Sequence, residues 1–175
     1  MAGRDVDALT KRAKGLALTD GPTLLGEGAF GKVYKETRTV YIIPSTKVCA
    51  VKKLDNFNKE AVKEVETLMK LNHMNIIKCY GHHYEDNGRR LCIVMEFADR
   101  GTFTELITKE AQNPGSAAFK EYNIWRPLSQ LSDALNYLHT LPQPILHRDL
   151  KPDNILGVAN PETGDIRWKL ADFGL

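Results

Sequence analysis

Three glycines, Gly26, Gly28 and Gly31, stand in the stretch Gly26-Glu-Gly28-Ala-Phe-Gly31-Lys32-Val33, which runs directly into β-branched and aromatic residues. Without Cβ atoms, glycines this dense let backbone N–H groups come close to phosphate oxygens. Besides a plain tight hairpin, three templates share the spacing. A dinucleotide fingerprint needs a helix directly after its third glycine, whereas Lys32 to Ile43 reads as strand. A Walker A loop needs a Ser or Thr hydroxyl after its lysine, and Val33 stands there. The third template, a glycine flap between two strands, suits both flanks.

Around that flap the texture is β-rich. Leu24-Leu25, Val33-Tyr34, Val40-Tyr-Ile-Ile43 and Val48-Cys-Ala-Val51 read as short strands in a meander, with Pro44-Ser45-Thr46 as a turn. Ala61, Val65, Leu68 and Met69 recur at i, i+4, i+7 and i+8, which predicts a helix from about Asn58 to Leu71. Asn75 to Tyr80 and Leu91 to Phe97 read as two more strands, with a turn at Asp86-Asn87-Gly88, where Asn-Gly accepts positive φ. Beyond Phe97 the pattern turns helical. Thr102 to Glu110 predicts a short helix, Asn113-Pro-Gly-Ser116 a loop, and Ile124, Leu128, Leu131, Leu135 and Leu138 a buried helical stripe, with Pro127 in its first turn or kinking it. Ile145 to Leu175 predicts a hairpin around Pro161-Glu-Thr-Gly164. The expected organisation is an extension over 1–22, a β-rich domain over 23–97 and a mainly helical part over 98–175.

Charge and composition exclude several classes. The 24 Lys+Arg against 22 Asp+Glu give a net charge of +2, without the basic excess of a nucleic-acid footprint. Hydrophobic residues at 42% with 26% charged are ordinary globular usage for a 175-residue chain, not that of a disordered one. Cys49, Cys79 and Cys92 are widely spaced within apolar or β-type runs and read as reduced core thiols. No CxxC pair and no zinc spacing among the five histidines suggests a structural metal, and the adjacent His82 and His83 point to opposite faces of a strand. Met1 to Asp7 carries acids and no apolar core, unlike a secretory signal. The run Leu91 to Met95 is too short to span a bilayer, so no membrane insertion is expected, and the location expected is cytoplasmic or nuclear.

Three further sites carry chemistry. Lys52 ends an apolar strand in which Val48, Ala50 and Lys52 share one face and Cys49, Val51 and Lys53 the other, so one lysine lies along a buried face and needs an anion. Glu64, at the edge of the helical stripe, can supply it; a surface pair of Glu64 with Lys63 or Lys59 is the alternative. In His147-Arg-Asp149-Leu-Lys151-Pro-Asp153-Asn154-Ile-Leu156, one irregular loop holds a carboxylate, an ammonium and an amide. Those are the parts needed to accept a hydroxyl proton, neutralise phosphate and ligate a metal. Leu170-Ala-Asp172-Phe-Gly174 adds a second carboxylate at the end of an apolar strand.

These four motifs, in this order, resemble the eukaryotic protein kinase domain. The resemblance implies an α+β, kinase-like fold: a complete β-rich N-lobe with one helix, followed by the first, mainly helical part of a C-lobe. It implies ATP and Mg²⁺ as cofactors and a protein substrate with Ser or Thr as partner. Gly26, Gly28 and Gly31 would cover the phosphates, Lys52 would hold them and Glu64 would orient Lys52. Asp149 would accept the hydroxyl proton, Lys151 steady the phosphoryl group, and Asn154 and Asp172 hold the metal. Met95 matches the residue gating the adenine pocket, Glu96 and Ala98 the hinge groups, and Val33, Ala50 and Leu156 the residues that sandwich the ring. Lys151, two positions after Asp149, resembles the serine/threonine branch, and the hinge wording resembles the NIMA-related one. Set against the family, the step from Lys52 to Glu64 is short, which leaves Glu66 or Glu60 as possible partners, and Met74 replaces a usual proline. The chain also stops at Leu175, before the family's activation segment, with which Arg148 would pair once phosphorylated. That ending predicts a truncated domain with part of the long helix's apolar face wet. It keeps open a non-catalytic module that binds nucleotide or a partner.

Overall fold

The computed structural model describes residues 21–28, 31–40, 45–55, 57–112 and 121–173. The expectations for residues 1–20, for Tyr41 to Pro44, for the Asn113-Ser116 loop and for Gly174 lie outside them. The chain divides into two compact units. One holds the described residues up to Leu71 together with Lys78–Phe97, the other Asn72–Ile77 together with the residues from Ala98 onward.

In the first unit, β1 (Thr23–Gly28), β2 (Gly31–Val40), β3 (Ser45–Asp55), β4 (Cys79–Glu85) and β5 (Arg90–Glu96) form one antiparallel sheet in the order β1-β2-β3-β5-β4. Thr46 lies inside β3, paired with Thr39, and not in a turn; its β-branched side chain suits a pleated surface. The helix α1 (Lys59–Lys70) starts where Asn58 accepts a hydrogen bond from the Ala61 N–H and ends at Leu71, and Val65 is its buried residue. Between β4 and β5, Asp86, Asn87 and Gly88 all take positive φ in a tight turn of 3-10 type.

Asn75 to Ile77 does not extend β4. It belongs to the second unit, where Leu170 N–H donates to the Asn75 carbonyl and Ile77 N–H to the Leu170 carbonyl, both at 2.9 Å. The buried Asn75 amide donates to the Trp168 carbonyl at 2.8 Å. A backbone that finds its hydrogen bonds with a distant strand leaves its sequence neighbour's sheet, whatever its own β-type composition.

The second unit comprises α2 (Phe103–Ala111), α3 (Glu121–His139) and the hairpin β6 (Ile155–Ala159) with β7 (Ile166–Leu170). At the start of α2, the Thr102 hydroxyl accepts from the Glu105 N–H while the Glu105 carboxylate accepts from the Thr102 N–H. Along α3 the buried residues are Pro127, Ala134 and Leu138. Ile124, Trp125 and Leu128 are exposed. Of the leucine stripe, Leu138 is buried and Leu131 and Leu135 are half-buried, so the inward side is shared with Pro127 and Ala134. Pro127 lies in the second turn, not the first. Gln130 accepts from the Trp168 N–H at 2.8 Å and Phe103 meets the Trp168 ring edge-on, which seats the hairpin.

Candidate active site

In the first unit the flap is two strands that meet at their glycines, with Gly28 opposite Gly31 and Gly26 opposite Val33. Gly31 has φ 123°, and a Cβ there would collide with the Lys53 carbonyl oxygen, so the close approach of β2 to β3 demands glycine. The register then carries the flap to the lysine: Val33 faces Lys52 across β2 and β3, and Ala50 faces Met95 across β3 and β5. Opposite partners share a face, so Val33, Ala50, Lys52 and Met95 lie on one side of the sheet. Lys52 is 5% exposed, as strand alternation predicts for the lysine on a buried face. Lys53, on the other face, is also largely withdrawn, against the expectation of a single buried lysine.

Glu64 is exposed on α1. Glu60 and Glu66 are exposed as well. Glu96 ends β5, its N–H donating to the Lys78 carbonyl at 2.8 Å and its carboxylate accepting from the Lys78 N–H at 3.1 Å.

The second unit brings Asp149, Lys151 and Asn154 together. A 3-10 turn, Pro152–Asn154, follows Lys151 and brings Asn154 back over Asp149. The buried Asn154 amide donates to the Asp149 carboxylate at 2.9 Å and to its backbone carbonyl at 2.8 Å. Lys151 Nζ donates to the same Asp149 oxygen at 2.7 Å. The Lys151 and Asn154 donors hold the Asp149 carboxyl below its ordinary value, and Asp149 in turn raises Lys151. Both N–H groups of the Asn154 amide are thus committed to Asp149. The Asn154 backbone carbonyl accepts from the Ala171 N–H at 2.9 Å, so Asp172 is one residue from this anchor, exposed and at φ 60°. Arg148 is also at positive φ, 67°, and exposed. Leu156 follows on β6, half-buried, bridged to Thr102. Ala98, half-buried, opens the unit.

His147 is a positioning residue to which the sequence reading assigns no role. It is buried, its Nε2 lies 2.9 Å from the Ala171 carbonyl and its ring packs on Phe173 with centroids 4.8 Å apart. It thereby ties the Asp149 loop to the backbone that bears Asp172. Burial lowers its pKa. Its place two residues before Asp149 was legible in the sequence, but its packing on Phe173, 26 residues further on, was not.

The sequence is similar to known proteins. The profile of the protein kinase domain matches residues 21–175, and the chain belongs to the protein kinase family. It is 34% identical over 155 residues to an Aurora kinase of Schizosaccharomyces pombe, covering 86% of this chain and 39% of that protein. An Aurora kinase of Dictyostelium discoideum is 37% identical over 156 residues, with coverage of 86% and 36%. A probable serine/threonine-protein kinase nek2 of the same organism is 34% identical over 154 residues, with 86% and 35%. The chain thus spans less than half the length of these curated relatives. Two branches match at near-equal identity, so the serine/threonine class is what they have in common.

Proposed function

We propose that this chain carries the nucleotide site and catalytic loop of an ATP-dependent serine/threonine protein kinase, with the unit of β1 to β5 as the nucleotide-covering lobe. The observation that carries the reading is the Asp149, Lys151 and Asn154 constellation, in which two donors keep one carboxylate ionised and aimed. In this reading Asp149 accepts the proton of a Ser or Thr hydroxyl as its oxygen bonds to the γ-phosphorus and the bond to the β-phosphate bridge oxygen breaks, releasing ADP. Lys151 offsets the charge on the transferred group, and the glycine flap and Lys52 orient the phosphates. Asn154 and Asp172 offer hard oxygen donors, which suit Mg²⁺. When bound, the ion supplies charge neutralisation to the phosphates. Val33, Ala50, Met95 and Leu156, with the backbone of Glu96 and Ala98, are read as the adenine-side residues.

The test is phosphoryl transfer from labelled ATP to a Ser/Thr peptide by this chain and by a longer form extended past Leu175. The Asp149→Asn change is expected to lower transfer by roughly 10²–10⁴-fold while ATP still raises Tm. Undiminished transfer in that variant overturns the reading. A second reading, nucleotide binding without catalysis, is favoured by the exposure of Glu64 on α1. Stabilisation by ATP with no transfer in either form would select it. No helix among the described residues is long and apolar enough to cross a membrane. Three free, buried cysteines support a reducing compartment, the cytoplasm or nucleus.

A further inference from the structure

The face of the first-unit sheet opposite Lys52 carries a cluster the proposed chemistry does not use. Cys92 pairs with Lys53 on one side and with His83 on the other, so the three share a face, and Glu85 and Arg90 continue it. Glu36 and Arg38 reach in from β2, both buried. Arg38 Nε donates to the Glu36 carboxylate at 2.6 Å, and Lys53 Nζ donates to both Glu85 oxygens at 3.1 and 3.0 Å. Beside these charges lies an apolar patch of Cys49, Val51, Cys92 and Val94, each fully buried.

One atom in this cluster is frustrated. His83 Nε2 lies 3.3 Å from Arg38 Nη1, a donor, and 3.4 Å from Glu85 Oε1, an acceptor. A ring nitrogen can accept from the first or donate to the second, not both. Its other nitrogen, Nδ1, is buried without a partner. A cation directed at lone pairs would answer Nε2 and Oε1 together, leaving Arg38 to Glu36.

We propose that His83, Glu85 and Cys92 form a binding site for a zinc-type divalent cation on this face of the sheet. Their ligand atoms already lie within 4.8 Å of one another. Tetrahedral zinc with bonds of about 2.0–2.3 Å separates its ligands by about 3.3–3.6 Å. The His83–Glu85 pair has that spacing, and the thiol must approach by about 1 Å at most. Nitrogen, oxygen and sulfur together select a borderline-soft ion over Mg²⁺. Lys53 acts as an outer-shell partner, fixing the Glu85 carboxylate through bonds to both of its oxygens. Glu36, Glu85, Asp55 and Asp86 outnumber Arg38, Lys53 and Arg90 by one, and the Cys92 thiolate adds the second negative charge that offsets the ion. On coordination the Cys92 thiol loses its proton to solvent and a water takes the fourth position. His83 and Glu85 are part-exposed, which gives the ion an entry path.

The test uses the full 175-residue chain, reduced and stripped of metal, with Co²⁺ as the probe. The expected result is a near-ultraviolet thiolate-to-cobalt charge-transfer band that saturates at one equivalent and is abolished by Zn²⁺. Cys79→Ser keeps the band and Cys92→Ser loses it. His83→Gln weakens Co²⁺ binding by more than the roughly 10–100-fold that loss of an outer-shell partner costs. Zn²⁺ raises Tm of the parent chain but not of His83→Gln. No band at one equivalent, a band that survives Cys92→Ser, or an equal Zn²⁺-induced Tm rise in His83→Gln overturns the site. Should Cys92→Ser not fold, His83→Gln decides alone.

Discussion

Gly31 and Gly26 look equivalent as letters and differ as positions. At Gly31 the backbone sits at φ 123° against the Lys53 carbonyl, whereas a Cβ at Gly26 meets nothing within 4 Å. Gly31→Ala is therefore expected to destabilise by about 1–3 kcal/mol through strain, and Gly26→Ala by no more than about 0.5 kcal/mol. Urea midpoints of the two variants measure the difference. His147 makes a second residue-level prediction. Burial keeps its imidazole neutral in the fold, so below the ordinary histidine value of about 6.5 the unfolded chain takes up a proton that the folded one refuses. The unfolded state binds more protons there, so this stability is complete above that pH and falls as pH drops below it. His82, also lowered by burial, acts in the same direction. Tm near pH 5.5 should lie below that near pH 7.5, with a shallower dependence in His147→Gln.

At the scale of elements, local chemistry was legible wherever a residue served its own neighbours. Asn58 bonds Ala61, three residues on, and Thr102 bonds Glu105, so both helix starts could be read from composition. The Asp86-Asn87-Gly88 turn was legible for the same reason, its positive φ being written into its side chains. Asn58→Ala should cost about 1 kcal/mol and reduce helicity by circular dichroism, since it strips the cap from α1. Illegible were features set by distant partners. The Asn75 to Tyr80 run has β-type letters, but Asn75 is claimed by Trp168 and Leu170. The exposure of Glu64 could not be read from a stripe that fixes only which residues point inward. In the same way, the cluster of Glu36, Arg38, Lys53, His83, Glu85 and Cys92 draws on four strands, and period-two patterning says which face each residue takes but not which charges meet.

For the molecule as a whole, the division into two units runs through the sequence rather than beside it. Asn72–Ile77 leaves the first unit, serves the second, and the chain then returns at Lys78. The four motifs that carry the family resemblance were legible because each is a short run of letters, while this crossing rests on hydrogen bonds between residues far apart in sequence. Asn75→Ala removes a buried donor from the Trp168 carbonyl and is expected to cost about 1–3 kcal/mol. Amide exchange in β6 and β7 would report it as lost protection, whereas unchanged protection would show that the backbone bonds to Leu170 suffice.

The same Asn75–Trp168 bond spans 93 residues. On a ribosome adding about 5–20 residues per second, the 72–77 segment emerges roughly 5–20 s before the strand that receives it. Through that interval the nascent Ile76 and Ile77 wait without the Leu170 backbone that pairs with them in the finished fold.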